Sequence, residues 1–72
     1  MRRYGDDLKY QREKIGYSQT RLAKETGISQ VNISYWESNK RIPSVAFCEI
    51  LADFYGITID ELVGRDHGRI NK

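Results

Sequence analysis

Apolar side chains recur along this chain in short clusters at helical spacing, each closed by small or polar residues, and no segment alternates apolar and polar positions over a useful length. The spacing predicts five helices joined by short turns. The first runs from Asp6 or Asp7, acidic residues suited to an N-cap, to about Ile15, with Gly16 as its stop. A second starts after Ser18 and covers Gln19 to Thr26, ended by Gly27. A third starts after Ser29 and covers Gln30 to about Ser38. A fourth follows Pro43-Ser44 and runs to Tyr55, ended by Gly56; a short fifth follows Thr58 and covers Ile59 to Val63, ended by Gly64. Four starts carry Ser or Thr, whose side-chain oxygen satisfies an orphan backbone N–H. Four stops carry Gly, which enters the left-handed region without strain. The pattern defines one all-α domain over residues 1–64, and residues 65–72, with a single apolar side chain, read as a flexible tail.

The faces of these helices separate by role. Leu22, Ala23, Ile28, Ile33 and Trp36 are the apolar positions of the second and third helices, and a three-residue turn between them forces a steep, close crossing. Ala23 is small where the helices cross, and Ile28 plugs the turn into the core. On the first helix Arg12 lies between Leu8 and Ile15, on the stripe expected to be buried. The fourth helix is too apolar for one face. Val45, Cys48, Ala52 and Tyr55, with Leu51 adjoining, form a core side; Ala46, Glu49 and Asp53 form a solvated sector. Phe47, Ile50 and Phe54 make a third sector, within about 60° of one another at the helical step. A domain this small rarely leaves such side chains open to water. That sector, with Ile59 and Val63, is expected to be a dimer or partner surface, unless the fifth helix or the N-terminal segment with Tyr4 covers it.

Length and composition narrow the choice of function. A 72-residue chain is one domain with a minimal core, and a deep catalytic pocket is not expected. Cys48 is the single cysteine and His67 the single histidine, placed in the core side of the fourth helix and in the tail. Neither is a good address for catalysis. No metal-ligand spacing or phosphate-binding glycine loop occurs, so no enzyme activity, cofactor or small-molecule substrate is expected. No segment reads as a signal peptide or membrane span, which makes a cytoplasmic, nucleoid-associated protein the default. The net charge of +2 is small but uneven. Residues 1–41 hold nine Lys/Arg against five Asp/Glu, whereas no basic residue lies between Ile42 and Gly64. A basic front and an acidic back would orient the molecule in the field of a polyanion, though ordinary surface variation produces the same asymmetry.

The third helix carries the chemistry. Ile33 and Trp36 mark its buried side; Val31, Ser34, Tyr35 and Ser38 fall opposite, flanked by Gln30 and Asn32. That exposed face bears no charge and offers hydrogen-bonding groups beside one apolar and one aromatic contact, which suits the major groove. Gln30 can bond adenine bidentately, Val31 can pack on a thymine methyl, and Ser34 and Tyr35 lie on the same face. Tyr35 can read a base edge or touch a phosphate. Gln19 and Ser29 sit at helix N-termini, where backbone N–H groups favour a phosphate, and Asn32, Asn39, Lys40 and Arg41 can grip phosphates on the other side. Ser18 and Ser29 have a competing duty as caps, and Arg2 and Arg3 read either as a groove-seeking arm or as an untethered basic tail.

The run Ser18-Gln-Thr-Arg-Leu-Ala-Lys-Glu-Thr-Gly-Ile-Ser-Gln-Val-Asn-Ile-Ser-Tyr-Trp-Glu-Ser-Asn-Lys-Arg-Ile-Pro-Ser44, with Gly-Ile-Thr-Ile-Asp-Glu-Leu at 56–62, resembles the Cro/cI-type (XRE) repressors over residues 8–63. The resemblance implies a five-helix, lambda-repressor-like domain with the helix-turn-helix at helices two and three. It further implies sequence-specific binding to double-stranded DNA, as a homodimer on an inverted-repeat operator, with repression as the usual outcome. It supports Gln19, Ser29, Asn32, Lys40 and the loop before Pro43 as backbone contacts, and it pairs Arg12 with Glu37 as an ion pair between the first helix and the recognition helix. Two positions depart from the pattern. Thr26 stands where an apolar residue is usual, predicting slightly looser packing, and Asn39 stands where Gly is frequent. The competing reading is a helix-turn-helix protein-interaction module, or an antitoxin-like partner, that uses the Phe47, Ile50 and Phe54 surface.

Overall fold

A computed structural model describes residues 3–64, and these form five helices: α1 Tyr4–Lys14, α2 Gln19–Thr26, α3 Gln30–Glu37, α4 Val45–Tyr55 and α5 Ile59–Leu62. The expectations for Arg2, His67 and the 65–72 tail lie outside the described residues. Ser18, Ser29, Ser44 and Thr58 cap the last four helices, their hydroxyls accepting from the N–H of Arg21, Val31, Phe47 and Glu61. At α5 the Glu61 carboxylate returns the bond to the Thr58 N–H at 2.9 Å, closing a capping box.

The start of α1 is the one boundary the caps misplaced. The helix begins at Tyr4, and Asp6 serves from inside its first turn by accepting the Arg3 N–H at 3.2 Å. The reason for the early start is Gly5. A Cβ there would stand 2.5 Å from the Trp36 carbonyl oxygen and 2.7 Å from that of Glu37. Without a side chain, the first turn of α1 lies directly on the exit of α3, where the Gly5 N–H donates to Asn39 Oδ1 at 3.0 Å. Tyr4 fastens the same junction, donating its hydroxyl to the Arg41 carbonyl at 2.7 Å.

α1 and α2 pack on α3, and α4 packs on α5. Leu8, Leu22, Ile28, Ile33, Trp36, Cys48, Leu51, Ala52 and Leu62 form the buried core. Ile33 and Leu62 are the largest side chains fully withdrawn from water, each contributing about 1.5–3 kcal/mol by burial. Two residues assigned to the core by spacing are outside it: Ile15 is exposed, and so is Val45 at 70 %. Ile15 falls in the C-cap of α1, past the last helical turn. Val45 is the first residue of α4.

The turn between α2 and α3 is held in an unanticipated way. Gly27 takes φ 77° and ends α2. Thr26, expected to loosen the packing, instead donates its hydroxyl to the Leu22 carbonyl at 2.7 Å and accepts the Ile28 N–H at 3.2 Å. Its polar group thereby satisfies backbone inside the turn and seats Ile28 in the core.

Candidate nucleic-acid interface

The site begins with a buried ion pair. Arg12 Nε lies 2.8 Å from Glu37 Oε2 and its Nη2 lies 2.9 Å from Oε1, a bidentate match of planar groups. The third donor of the guanidinium, Nη1, reaches the Tyr17 carbonyl at 2.6 Å. Both side chains are nearly sealed from water, with 10 % and 5 % exposure. The bonds to Glu37 hold the Arg12 guanidinium above its ordinary pKa, against the opposing effect of burial. The pair joins α1 to the end of α3, as the resemblance implied.

From Glu37 a chain of side-chain bonds runs outward to the recognition face. Gln19 Nε2 donates to Glu37 Oε1 at 3.0 Å, and Gln30 Nε2 donates to Gln19 Oε1 at 2.9 Å. Gln19 is half-buried at the start of α2 and Gln30 exposed at the start of α3. Residues 11 apart in sequence thus meet because the steep crossing brings the two helix starts together.

The exposed side of α3 has the expected members. Gln30 and Ser38 are exposed, Val31 is 54 % and Tyr35 36 % exposed, and Ser34 and Asn32 are half-buried. Beyond α3 the chain folds back: the N–H groups of Lys40 and Arg41 both reach the Tyr35 carbonyl, at 2.9 and 3.4 Å. Lys40 and Arg41 are exposed, so two cations sit at the end of the uncharged face, and the Arg41 guanidinium lies 5.3 Å over the Tyr35 ring. Asn39 takes φ 64°, a region asparagine tolerates, and its Oδ1 is committed to Gly5. Asn39 therefore clamps α1 to the exit of α3, a duty the sequence did not show. Ser29 acts as a cap, its hydroxyl accepting the Val31 N–H at 3.2 Å.

A polar groove of about 290 Å³ runs beside α3, lined by Lys9, Arg12, Gln19, Ser34, Glu37 and Ser38. It brings Lys9, which sequence reasoning passed over, to the edge of the same surface; a lone lysine on an exposed helix face carries no signal of its own. The core cavity behind α3, lined by Leu8, Leu22, Ile33, Trp36, Glu37, Leu51 and Tyr55, measures about 10 Å³. That is room for about one water-sized sphere and too small for a metabolite. Among the described residues no helix is long and apolar enough to cross a membrane.

The apolar sector of α4 is largely covered within the domain, contrary to the expectation of an open surface. Phe47 and Phe54 are half-buried, not open. The Phe47 ring packs 5.0 Å from Trp36, and Phe54 packs 6.0 Å from Tyr17 and 5.3 Å from Tyr55. Ile59 and Val63 are half-buried against the core, so Ile50, at 42 %, is the exposed member of the set. Neither the fifth helix nor Tyr4 supplies those ring contacts; Trp36 of α3, Tyr17 of the turn between α1 and α2, and Tyr55 of α4 do. Ile42, ahead of α4, and Val45 on its first turn are also exposed.

This geometry is that of a helix-turn-helix domain, and the Helix-turn-helix family model matches residues 8–62; the chain belongs to that family. It is 34 % identical over 62 residues to the HTH-type transcriptional regulator ImmR of Bacillus subtilis, covering 86 % of this chain and 49 % of the relative. It is 38 % identical over 58 residues to the cryptic phage CTXphi transcriptional repressor RstR of Vibrio cholerae, covering 81 % and 52 %. The chain thus spans about half the length of these two relatives. Among solved structures it is similar to the P22 c2 repressor in complex with a synthetic operator, with 27 % identity and a TM-score of 0.81, covering 92 % of this chain and all of that one. It is also similar to the restriction-modification controller protein C.AhdI of Aeromonas hydrophila, with 29 % identity and a TM-score of 0.75, covering 82 % and 89 %. The five-helix architecture and the placement of the helix-turn-helix at α2 and α3 stand as read from the sequence.

Proposed function

We propose that this chain binds double-stranded DNA sequence-specifically and regulates transcription, as a repressor acting in the cytoplasm. The observation that carries the reading is the pairing of an uncharged, exposed α3 face with two cations folded back onto its end through the Tyr35 carbonyl. Gln30, Val31, Ser34 and Tyr35 meet base edges in the major groove. Gln19, Ser29, Asn32, Lys40 and Arg41 hold the phosphates on either side, with Lys9 added from the neighbouring groove. Arg12 and Glu37 set the angle of α3 against the rest of the domain. Asn39 positions the Lys40-Arg41 loop through Gly5.

Gln30 is prepared for its task. One of its Nε2 protons is spent on Gln19, which leaves an Oε1 acceptor and one N–H donor facing outward. Adenine presents a donor at N6 and an acceptor at N7, the complement of that pair. Two copies of the chain, meeting through the face of α4 that carries the exposed Ile50, would present two recognition helices about 34 Å apart to an inverted repeat. Selection of bound sequences from random duplex DNA tests the proposal. Enrichment of a two-fold symmetric site with adenine in each half supports it, and recovery of unenriched DNA at every ionic strength rejects it.

A further inference from the structure

We infer that Glu37, whose side chain is nearly sealed from water behind the recognition face, selects the base that Gln30 accepts, by fixing which way round the two glutamine amides lie. The inference rests on the DNA-binding reading above and deepens it. The carboxamide of a glutamine has nearly equal ends, one a donor of two protons and the other an acceptor. Left alone, Gln19 and Gln30 would bond to each other equally well in either sense. Here the sense is imposed from the core. The Arg12 guanidinium can only donate, and three contacts of 2.6–2.9 Å to Tyr17 and Glu37 pin it. The Glu37 carboxylate can only accept, so the end of Gln19 that meets it must be Nε2. That turns Gln19 Oε1 toward Gln30, and an oxygen can be met only by Gln30 Nε2. Donor-only, acceptor-only, then two amides in a single order: the polarity of the buried pair is carried to the first residue of the recognition helix.

The consequence is a choice of base. In the imposed order Gln30 shows one acceptor and one donor, which suits adenine. In the reversed order Gln30 Oε1 would be spent on Gln19 and Nε2 would show two donors, which suits the O6 and N7 acceptors of guanine. Glu37 is thus a positioning residue for specificity, acting through Gln19, and its side chain, 5 % exposed, is held too firmly by Arg12 to swing aside.

The test compares the full chain with Gln30→Ala, Glu37→Gln and Gln19→Met. Selection from random duplex DNA gives the base preference at every position, and Gln30→Ala identifies the base pair that Gln30 reads. Discrimination by a bidentate contact is about 5- to 150-fold. Glu37→Gln has an amide in place of the acceptor-only group, and Gln19→Met breaks the chain while leaving the Arg12–Glu37 pair in place. Both should cut the preference for adenine over guanine at that one base pair to about twofold, leaving the other positions unchanged. In the free protein, the side-chain NH2 protons of Gln30 should lose their hydrogen-bonded chemical shift in Gln19→Met, a readout that needs no DNA. A folded Glu37→Gln and a Gln19→Met that lose affinity uniformly while keeping the adenine preference would overturn the inference. If Glu37→Gln fails to fold, an adenine preference kept in Gln19→Met still overturns the inference. A wild-type chain without any preference refutes the DNA reading itself, whereas the Gln30 resonances still report on the relay.

Discussion

Replacing Arg12 by Met should destabilise the domain severely. The aliphatic part of the side chain is kept, so packing changes little, while three hydrogen bonds of 2.6–2.9 Å disappear. What remains is the Glu37 carboxylate, 5 % exposed, with the amide of Gln19 as its remaining side-chain partner, and the Tyr17 carbonyl without its guanidinium donor. Stranding one member of a buried pair costs about 3–5 kcal/mol. A domain of 72 residues has a total stability of about 4–11 kcal/mol. The loss is therefore about a quarter of the total or more, and at about 4 °C or more per kcal/mol the midpoint should fall by at least about 12 °C. Far-ultraviolet circular dichroism against temperature follows the transition. The double variant Arg12→Met/Glu37→Met should recover most of the loss, because a paired charge and an apolar pair of similar volume are nearly equivalent in stability. A single variant that melts within about 2 °C of wild type would refute the reasoning. So would a double variant no more stable than the single one.

Two further perturbations follow from the packing. Gly5→Ala drives a Cβ to 2.5 Å from a backbone oxygen that cannot swing away, so α1 must lift from the exit of α3. The expected cost is about 1–3 kcal/mol by chemical denaturation, and a variant as stable as wild type would show that the contact is not tight. Among the described residues the buried Tyr55 hydroxyl has no hydrogen-bond partner, and burial pushes its phenol up to about 12. Above pH 10, the ordinary value, the unfolded chain releases this proton while the folded one retains it. Stability then falls as pH rises from 10 toward 12, by at most about 1.4 kcal/mol per pH unit from this group. Tyr55→Phe should be neutral or stabilising at pH 7 and should flatten that alkaline decline; a loss of more than about 1 kcal/mol at neutral pH would mean that the hydroxyl is bonded.

The sequence made the helices legible where punctuation is local. Ser18, Ser29, Ser44 and Thr58 each cap within three residues of themselves, so a short window suffices to find them. The start of α1 was not legible, because it is set by a carbonyl of α3 some thirty positions away that only a glycine can approach. Ile15 and Val45 were misread for a related reason: helical spacing assigns a face but not whether the last or first turn is covered. Periodicity also assigned the exposed side of α3 correctly, since Ile33 and Trp36 fix its rotation. The bond between Gln19 and Gln30 and the clamp of Asn39 on Gly5 depend on how helix ends meet, which no single-helix pattern encodes. The opposite error occurred at α4, where Phe47 and Phe54 looked unpartnered because their cover comes from Trp36 and Tyr17 on other elements.

The central claim is that the α3 face reads bases while Lys40 and Arg41 hold the backbone, and paired titrations on the selected site and on a scrambled duplex across a salt series test it most directly. Gln30→Ala should weaken the selected site by about 5- to 150-fold and leave the scrambled duplex unchanged. Lys40→Ala should weaken both alike and reduce the salt slope by about 1. Equal weakening of both duplexes by Gln30→Ala, with a salt slope indifferent to Lys40, would contradict the account.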